Sequence, residues 1–451
     1  MDLAADSYRE TRHHELRKSR LLMVDGNLVS NARSVEAGAS ARVYEGGYWG
    51  FAATPHTDAA HAEHAVDQAR LNARAMARFG AKAPLALPTD PYRGEHVFRG
   101  RAPLGAKECV ERLAELHAWC TTRYPGLKST RFIVGDEHHT KRLSTSNGSE
   151  VLSSIQRALC YVMLVAEDGR GAPIELMRPL SCKGHLGDLE WSLATLAPVI
   201  DDLHRHLQAK RHAVPARGGL HTVVMAPELA GMLAHEAMGH PCEADLVLGG
   251  AVTGDMVGQR VASDLVSMVD FAHTYDGAET LIPVYADDEG TPARDAVLIR
   301  DGMLTEFMNS RETAARLGLV PTGSARAYGI GDEPLVRMRN TAILPGRDAL
   351  EDMIAGVDDG YLLMETSNGQ ADSTTEFMFG INLGYEIKDG KLGRAIRDTT
   401  ISGSAIKVLQ TVDAVSGDMV WNCSGYCGKK QPMVVSMGGP ALRARAHLGG
   451  E

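Results

Sequence analysis

The chain has 451 residues, 44% of them hydrophobic, and a formal net charge of −10; this excludes a disordered protein and calls for two or more globular domains. Lys and Arg are scattered among acidic residues, so the footprint of a nucleic-acid binder is missing. No run reaches the ~18 apolar residues of a membrane span, and the start, MDLAADSYRETRHHELRKSR, has no apolar signal core, so a soluble, cytoplasmic protein is expected.

In chain order, SRLLMVDGNLVSNARSV and ASARVYEGGYWGFAATP alternate with strand periodicity around Gly-rich turns and predict a small antiparallel sheet. Within it, Tyr48-Trp49 reads as a half-buried hairpin, the alternative being contact with a partner. A long helix follows in TDAAHAEHAVDQARLNARAMARF, with Thr57 or Asp58 as N-cap, and the Pro-rich KAPLALPTDPYRG ends it. KECVERLAELHAWCTTRY predicts a second helix, strands are expected from about 128 to 180, and DLEWSLATLAPVIDDLHRHLQAKRHA predicts a third helix. VPARGGL is a connector, placing the main boundary between a 1–215 N-terminal α+β domain and a 216–451 C-terminal domain. In the latter, HTVVMAP is a buried strand, ELAGMLAHEAMGH a helix, and short antiparallel strands make up the rest. The fold class is α+β.

Seven cysteines, an odd number spread from Cys109 to Cys427, do not make a secreted disulfide framework and are expected to be reduced. Cys109, Cys120, Cys160 and Cys182 read as buried structural thiols.

The chemistry concentrates in His235-Glu236-Ala237-Met238-Gly239-His240. Neutral imidazoles suit zinc, and a neighbouring carboxylate that does not ligate can take a proton from an activated water. The familiar helical form is H-E-x-x-H, with both imidazoles on one face. Here the spacing is one residue longer, which on a regular α-helix turns the second histidine about 140° from the first. Gly239 relaxes the backbone and Pro241 disfavours the α conformation at His240, so the helix is expected to bulge or end there. A catalytic zinc also needs a third donor, for which Cys242, Cys423, Cys427, Glu243 and Asp245 are candidates. NCSGYCGKKQP suits a loop that presents a thiolate, and its two cysteines are equally suited to a structural zinc site or to packing. In YADDEGTP, Asp287, Asp288 and Glu289 read as a solvated acidic turn capped by Gly290 and Pro292, the alternative being a second carboxylate site for a metal or a peptide amine.

With these residues the sequence resembles the TldD/PmbA family of metallopeptidases, and specifically its active TldD-type subunit. The resemblance runs through LAHEAMGHPCEAD, YADDEGTPARDAVLIRDGMLTEFMNSRETAARLG, PLVRMRNTAILPG and GYCGKKQPMVVSMGGPALR, and through Ala41-Arg42-Val43 to Gly50-Phe51-Ala52 near the start. It implies zinc held by His235, His240 and the C-G-K cysteine, Cys427, with Glu236 as the catalytic glutamate. It further implies a peptide substrate held extended in an enclosed channel. The partner it implies is a related TldE/PmbA-type subunit or a second copy in a homodimer. Three features depart from the pattern: a start close to the first strand without the N-terminal helix of longer members, Pro241-Cys242 where small residues are common, and SNGQADSTTEFMF in place of a glycine-rich segment. The glycines at 425 and 428 also favour Cys427, because the backbone there can fold tightly.

The expected reaction is hydrolysis of peptide bonds in unfolded or modified peptides, with Glu236 as general base. Two rivals are an amidase acting on a peptide-like natural-product intermediate and a non-catalytic scaffold subunit of a peptidase pair.

Overall fold

Strand alternation in the first fifty residues resolves into two long strands and a short one, joined by tight turns. β1 (Tyr8–Val24) and β2 (Asn27–Glu45) meet at Asp25-Gly26, and β2 meets β3 (Tyr48–Thr54) at Gly46-Gly47. All four turn residues have positive φ, the geometry that Asp-Gly and Gly-Gly supply in two-residue hairpins. This computed structural model describes residues 8–80, 82–87, 90–371 and 373–450. The first seven residues, positions 88 and 89 of the proline-rich break, and position 372 of the SNGQADSTTEFMF segment lie outside the described residues.

Helix α1 (Ala59–Met76) starts at Asp58, the N-cap, whose side chain accepts from the His61 amide. β4 (Arg93–His96), α2 (Ala106–Arg123), β5 (Ser129–Thr145), β6 (Glu150–Glu167), β7 (Pro173–Lys183) and α3 (Leu193–Lys210) follow. The strands expected before and after the helices do not form separate sheets. β1 pairs β5 from Glu10 to Val24, giving one seven-stranded sheet in the order β3-β2-β1-β5-β6-β4, with β7 also on β6. Apolar faces of α2 and α3 (Leu113, Leu116, Leu196, Ile200, Leu203, Leu207) cover Phe132, Val134, Val162 and Leu164. Each such fully buried aliphatic contributes about 1.5–3 kcal/mol.

Beyond α3 the chain enters β8 (Gly219–Met225). β8 lies between strands Asp359–Ala371 and Leu442–Leu448, and the sheet closes on itself through Thr399–Ser404 and Glu376–Lys388. A six-stranded sheet containing Met268–Phe271, Asn340–Ile343 and Ser436–Gly439 shares its core, Met268 and Ile343 clustering with Leu363 and Phe379. Helix α4 (Pro227–Met232) leaves β8 directly, with Leu229, Leu233, Ala234 and Met238 in a core shared with Leu363, Phe379, Ile343 and Val435. α3 ties the halves together: Leu203 and Leu207 share a core with Val224, Leu362 and Leu383, and His206 Nδ1 lies 2.6 Å from the Tyr385 hydroxyl.

Asp287, Asp288 and Glu289 do not form a solvated turn. They are 4%, 9% and 1% exposed. Lys141 donates to Asp288 at 2.6 Å and Arg42 to Glu289 at 2.9 Å, so basic residues of the N-terminal sheet neutralise them. Asp287 instead accepts the amides of Glu289, Thr291 and Ala325. With these oxygens engaged by the protein, the alternative of a metal or amine site has no support either. Gly290 does sit in the turn with φ +74° as expected. Tyr48 and Trp49 are half-buried, also as expected.

Candidate metal centre

The extra residue between the histidines is absorbed by the backbone. After α4 the chain widens into one π-helical turn, Leu233–Gly239, and then tightens into a 3-10 turn, His240–Cys242. The His240 amide donates to the His235 carbonyl, the i+5 bond of a π-turn, so the same hydrogen bond that sets the spacing brings the two histidine rings together edge to face. Their ring centroids are 5.3 Å apart. The expected distortion is present, but its cause differs from the expected one. His240 keeps helical dihedrals (φ −59°, ψ −48°) despite Pro241, and Gly239 is helical too. Gly239 is needed for space, because a Cβ there would come within 2.3 Å of Met338 Sδ.

The third member comes from the opposite end of the chain. Cys427 lies in a two-residue strand, Tyr426–Cys427, paired with Met433–Val434, so GKKQP forms a hairpin loop. Two buried arginines hold this loop by its carbonyls. Arg337 donates to the Cys427, Lys429 and Gln431 oxygens at 2.7, 3.0 and 2.8 Å. Arg157 of β6 donates to the Cys423 and Gly425 oxygens. Such donors satisfy loop carbonyls that burial would otherwise leave unpaired.

His235, His240 and Cys427 thus converge, with candidate ligand atoms all within 4.8 Å of one another and Cys427 Sγ 3.3 Å from His240 Nε2. His235 is 1% exposed, and neither ring nitrogen has a hydrogen-bond partner among the described residues. A buried imidazole without partners is costly unless something else ligates it. The donor set, two imidazoles and a thiol, is one that a metal ion fits. Glu236 stands beside them, its carboxylate oxygens 4.0 Å from His235 Nε2 and 3.6 Å from His240 Nε2, and its side chain remains partly open to solvent.

Electrostatics separates the cysteines. Burial works against ionisation of Cys427, but the His235 and His240 imidazoles outweigh it and hold the thiol down at about 4. Burial pushes Cys242 up to about 12 and raises Cys423. Cys242 packs in the apolar core, while Cys423 lies in the same core with its amide bonded to Ser181 Oγ. Neither joins the cluster.

Glu243 and Asp245, both candidate donors from the sequence, are brought near without entering the cluster. Glu243, fully buried, accepts from His240 Nδ1 at 2.7 Å, which fixes the ring and leaves Nε2 facing Cys427. Burial opposes its charge, yet His240 and Lys429 hold Glu243 below the usual carboxylate range. Burial likewise opposes protonation of His240, but Glu243 and Cys427 raise its pKa well above that of a free imidazole. Anionic partners on both sides of one imidazole make an environment that selects a cation. Lys429 completes the support, donating to Asp245 at 2.7 Å and lying 3.2 Å from Glu243. The roles of Lys429, Arg337 and Arg157 had no periodic or spacing signal in the sequence.

Residues 218–448 match the PmbA/TldA metallopeptidase C-terminal domain, and residues 10–73 match PmbA/TldA metallopeptidase domain 1. A metalloprotease of Methanothermobacter thermautotrophicus is 32% identical over 98% of this chain and 95% of its own length. A protein of Saccharolobus solfataricus named zinc metalloprotease TldD homolog is 30% identical over 74% of this chain and 75% of its own. Among solved structures, TldE from Thermococcus kodakarensis superposes with a TM-score of 0.75 at 17% identity, covering 97% of this chain and 96% of that one, which establishes the shared fold.

Proposed function

Because the chain belongs to the PmbA/TldD family of metallopeptidases, we propose that it hydrolyses peptide bonds in unfolded or modified peptides at a zinc site formed by His235, His240 and Cys427. The observation that carries the reading is the orphaned, buried His235 beside His240 and Cys427, with Glu236 alongside. The name of the Saccharolobus relative favours zinc among metals, as does the nitrogen and sulfur donor set. In this reading residues 216–451 are the metallopeptidase domain and residues 1–215 an α+β domain that buttresses it.

Zinc held by His235, His240 and Cys427 would supply Lewis acidity for an attacking water and the scissile carbonyl. Glu236 takes the water proton and returns it to the leaving amine, a role for which its position next to both imidazoles and its partial exposure suit it. Glu243 holds His240 in the tautomer that presents Nε2. Arg337 and Arg157 fix the Cys427 loop so that no reorganisation is needed on binding. The proposal includes a second subunit, either another copy or a related TldE/PmbA-type chain, and a cytoplasmic setting in keeping with seven free cysteines.

Incubating the zinc-loaded chain with an unfolded-peptide library, with and without a chelator, and mapping products by mass spectrometry tests the reading. Chelator-sensitive cleavage is expected. An inert chain that binds zinc stoichiometrically, with or without a related subunit, would overturn it.

A further inference from the structure

The stretch leading into Cys427 belongs to the C-terminal half but is held by strands of the N-terminal sheet. The Ser181 hydroxyl of β7 accepts from the Cys423 amide at 2.9 Å, and the Tyr161 hydroxyl of β6 donates to the Ser424 carbonyl at 2.8 Å. Arg157 of β6 bridges the Cys423 and Gly425 carbonyls with one nitrogen, Nη1, at 2.5 and 2.6 Å.

Behind these contacts stands Glu137 of β5, a residue the proposed reaction does not use. It lies directly across the ladder from Arg157, and the two are 4% and 1% exposed. Its Oε2 accepts from Arg157 Nη2 at 3.1 Å and from the Tyr426 hydroxyl at 2.5 Å, while its Oε1 lies 2.9 Å from His139 Nε2. The Arg157 guanidinium also lies over the Tyr426 ring, 4.1 Å from its centroid. Burial opposes a charge on Glu137, but His139, Arg157 and Tyr426 outweigh it and hold the carboxyl well below its usual range. Among the described residues it is the one carboxylate paired with Arg157. A buried guanidinium deprived of its carboxylate is left desolvated and unneutralised, so the position of Arg157 depends on Glu137. Glu137 therefore reaches the metal loop by two routes: through Arg157 to the carbonyls of residues 423 and 425, and directly to the residue before Cys427. An ion pair that served only the sheet would end on the sheet, and this one ends on the loop.

We propose that Glu137 is a positioning residue for the metal centre. Through Arg157 and Tyr426 it sets where the Cys427 sulfur lies against His235 and His240, so the N-terminal sheet tunes how tightly the metal is held. This rests on the proposed zinc site and adds a determinant from outside residues 216–451, the half that carries all three ligands. Partners that orient a metal ligand change affinity by about 10–100-fold when removed. Glu137 acts one contact further out, which places its effect at the lower end.

Competition with a chromophoric chelator gives the zinc affinity of the full chain, and cobalt(II) substitution gives a thiolate-to-metal charge-transfer band that reports on the Cys427 sulfur. Glu137→Gln keeps the shape of the side chain and removes its charge. It is expected to weaken zinc binding about tenfold and to shift or weaken the cobalt band, with Glu137→Asp recovering part of both. Glu10→Gln removes another buried carboxylate of the same sheet, whose arginine partners, Arg42 and Arg311, lie outside this loop, and is expected to change neither. Should E137Q fail to fold, Tyr426→Phe deletes only the hydroxyl that donates to Glu137 and is expected to alter the same band and weaken zinc severalfold. Wild-type affinity with an unaltered band in E137Q, or in Y426F where E137Q does not fold, overturns the proposal. An equal loss in E10Q also overturns it, by showing a general loosening of the sheet. A wild type that binds no zinc, or that keeps it in Cys427→Ser, overturns the metal site itself.

Discussion

Glu236 lies near both imidazoles and beyond hydrogen-bonding distance of either, so its removal should touch proton transfer and spare metal binding. Glu236→Gln is expected to keep full zinc content and lose about 10²–10⁴-fold in cleavage rate; metal analysis beside a peptide-cleavage assay checks both halves, and a fully active variant would refute the role. Among the cysteines, Cys427→Ser is expected to release zinc, whereas Cys423→Ser and Cys242→Ser keep it, because only Cys427 lies in the cluster and only its thiol is held down by imidazoles. The reverse pattern of zinc retention would show the assignment to be wrong. At this scale the sequence carried residue type and spacing: the two histidines, the glutamate beside them and Cys427, which the structure brings together, were readable from the motif and its resemblance. What it did not carry was partners distant along the chain. Glu243 looked like a possible ligand until His240 Nδ1 was seen against it. Asp288 and Glu289 looked solvated because Lys141 and Arg42, which neutralise them, lie 147 and 247 residues away.

The π-turn shows how an element can be legible in outline and not in cause. The five-residue spacing demanded a distortion, and a residue pattern can announce that much. Whether it arose from Pro241 or from a widened turn depended on what packs beside Gly239, and that neighbour, Met338, comes from a strand-rich region a hundred residues on. Gly239→Ala is therefore expected to destabilise the fold by about 1–3 kcal/mol through overpacking against Met338, and to weaken zinc binding by shifting the His235–His240 turn. Denaturant unfolding with a zinc competition assay measures both. An unchanged midpoint would mean that Met338 simply swings aside. The same limit explains the sheets: hairpin turns at Asp25-Gly26 and Gly46-Gly47 were visible locally, but the pairing of β1 with β5 across more than a hundred residues was not.

For the molecule as a whole, the contact between the N-terminal sheet and the C-terminal half is partly ionic, and its pH response has a definite sign. Glu10 of β1 is 3% exposed, lies 3.4 Å from Arg42 and 3.9 Å from Arg311, and shares the cluster with Glu289 and the Tyr8 hydroxyl. Burial is the largest influence on it, opposed by Arg42 and reinforced by Glu289, and the net effect lifts its pKa from 4.5 to about 7. Between those values the folded chain keeps a proton that the unfolded chain has lost. Stability from this group is thus largest at the acidic end and falls as pH rises from 4.5 towards 7. The loss is on the order of 3 kcal/mol if the whole shift is realised. Glu10→Gln mimics the protonated form and cannot ionise, so it removes this slope while leaving the packing in place. Thermal unfolding of both proteins at a series of pH values across that window should show the wild type losing ground to the variant as pH rises. A constant difference would mean that Arg42 and Arg311 keep Glu10 ionised throughout. In that case the cluster joins the halves as a fixed set of ion pairs, stable over the same range.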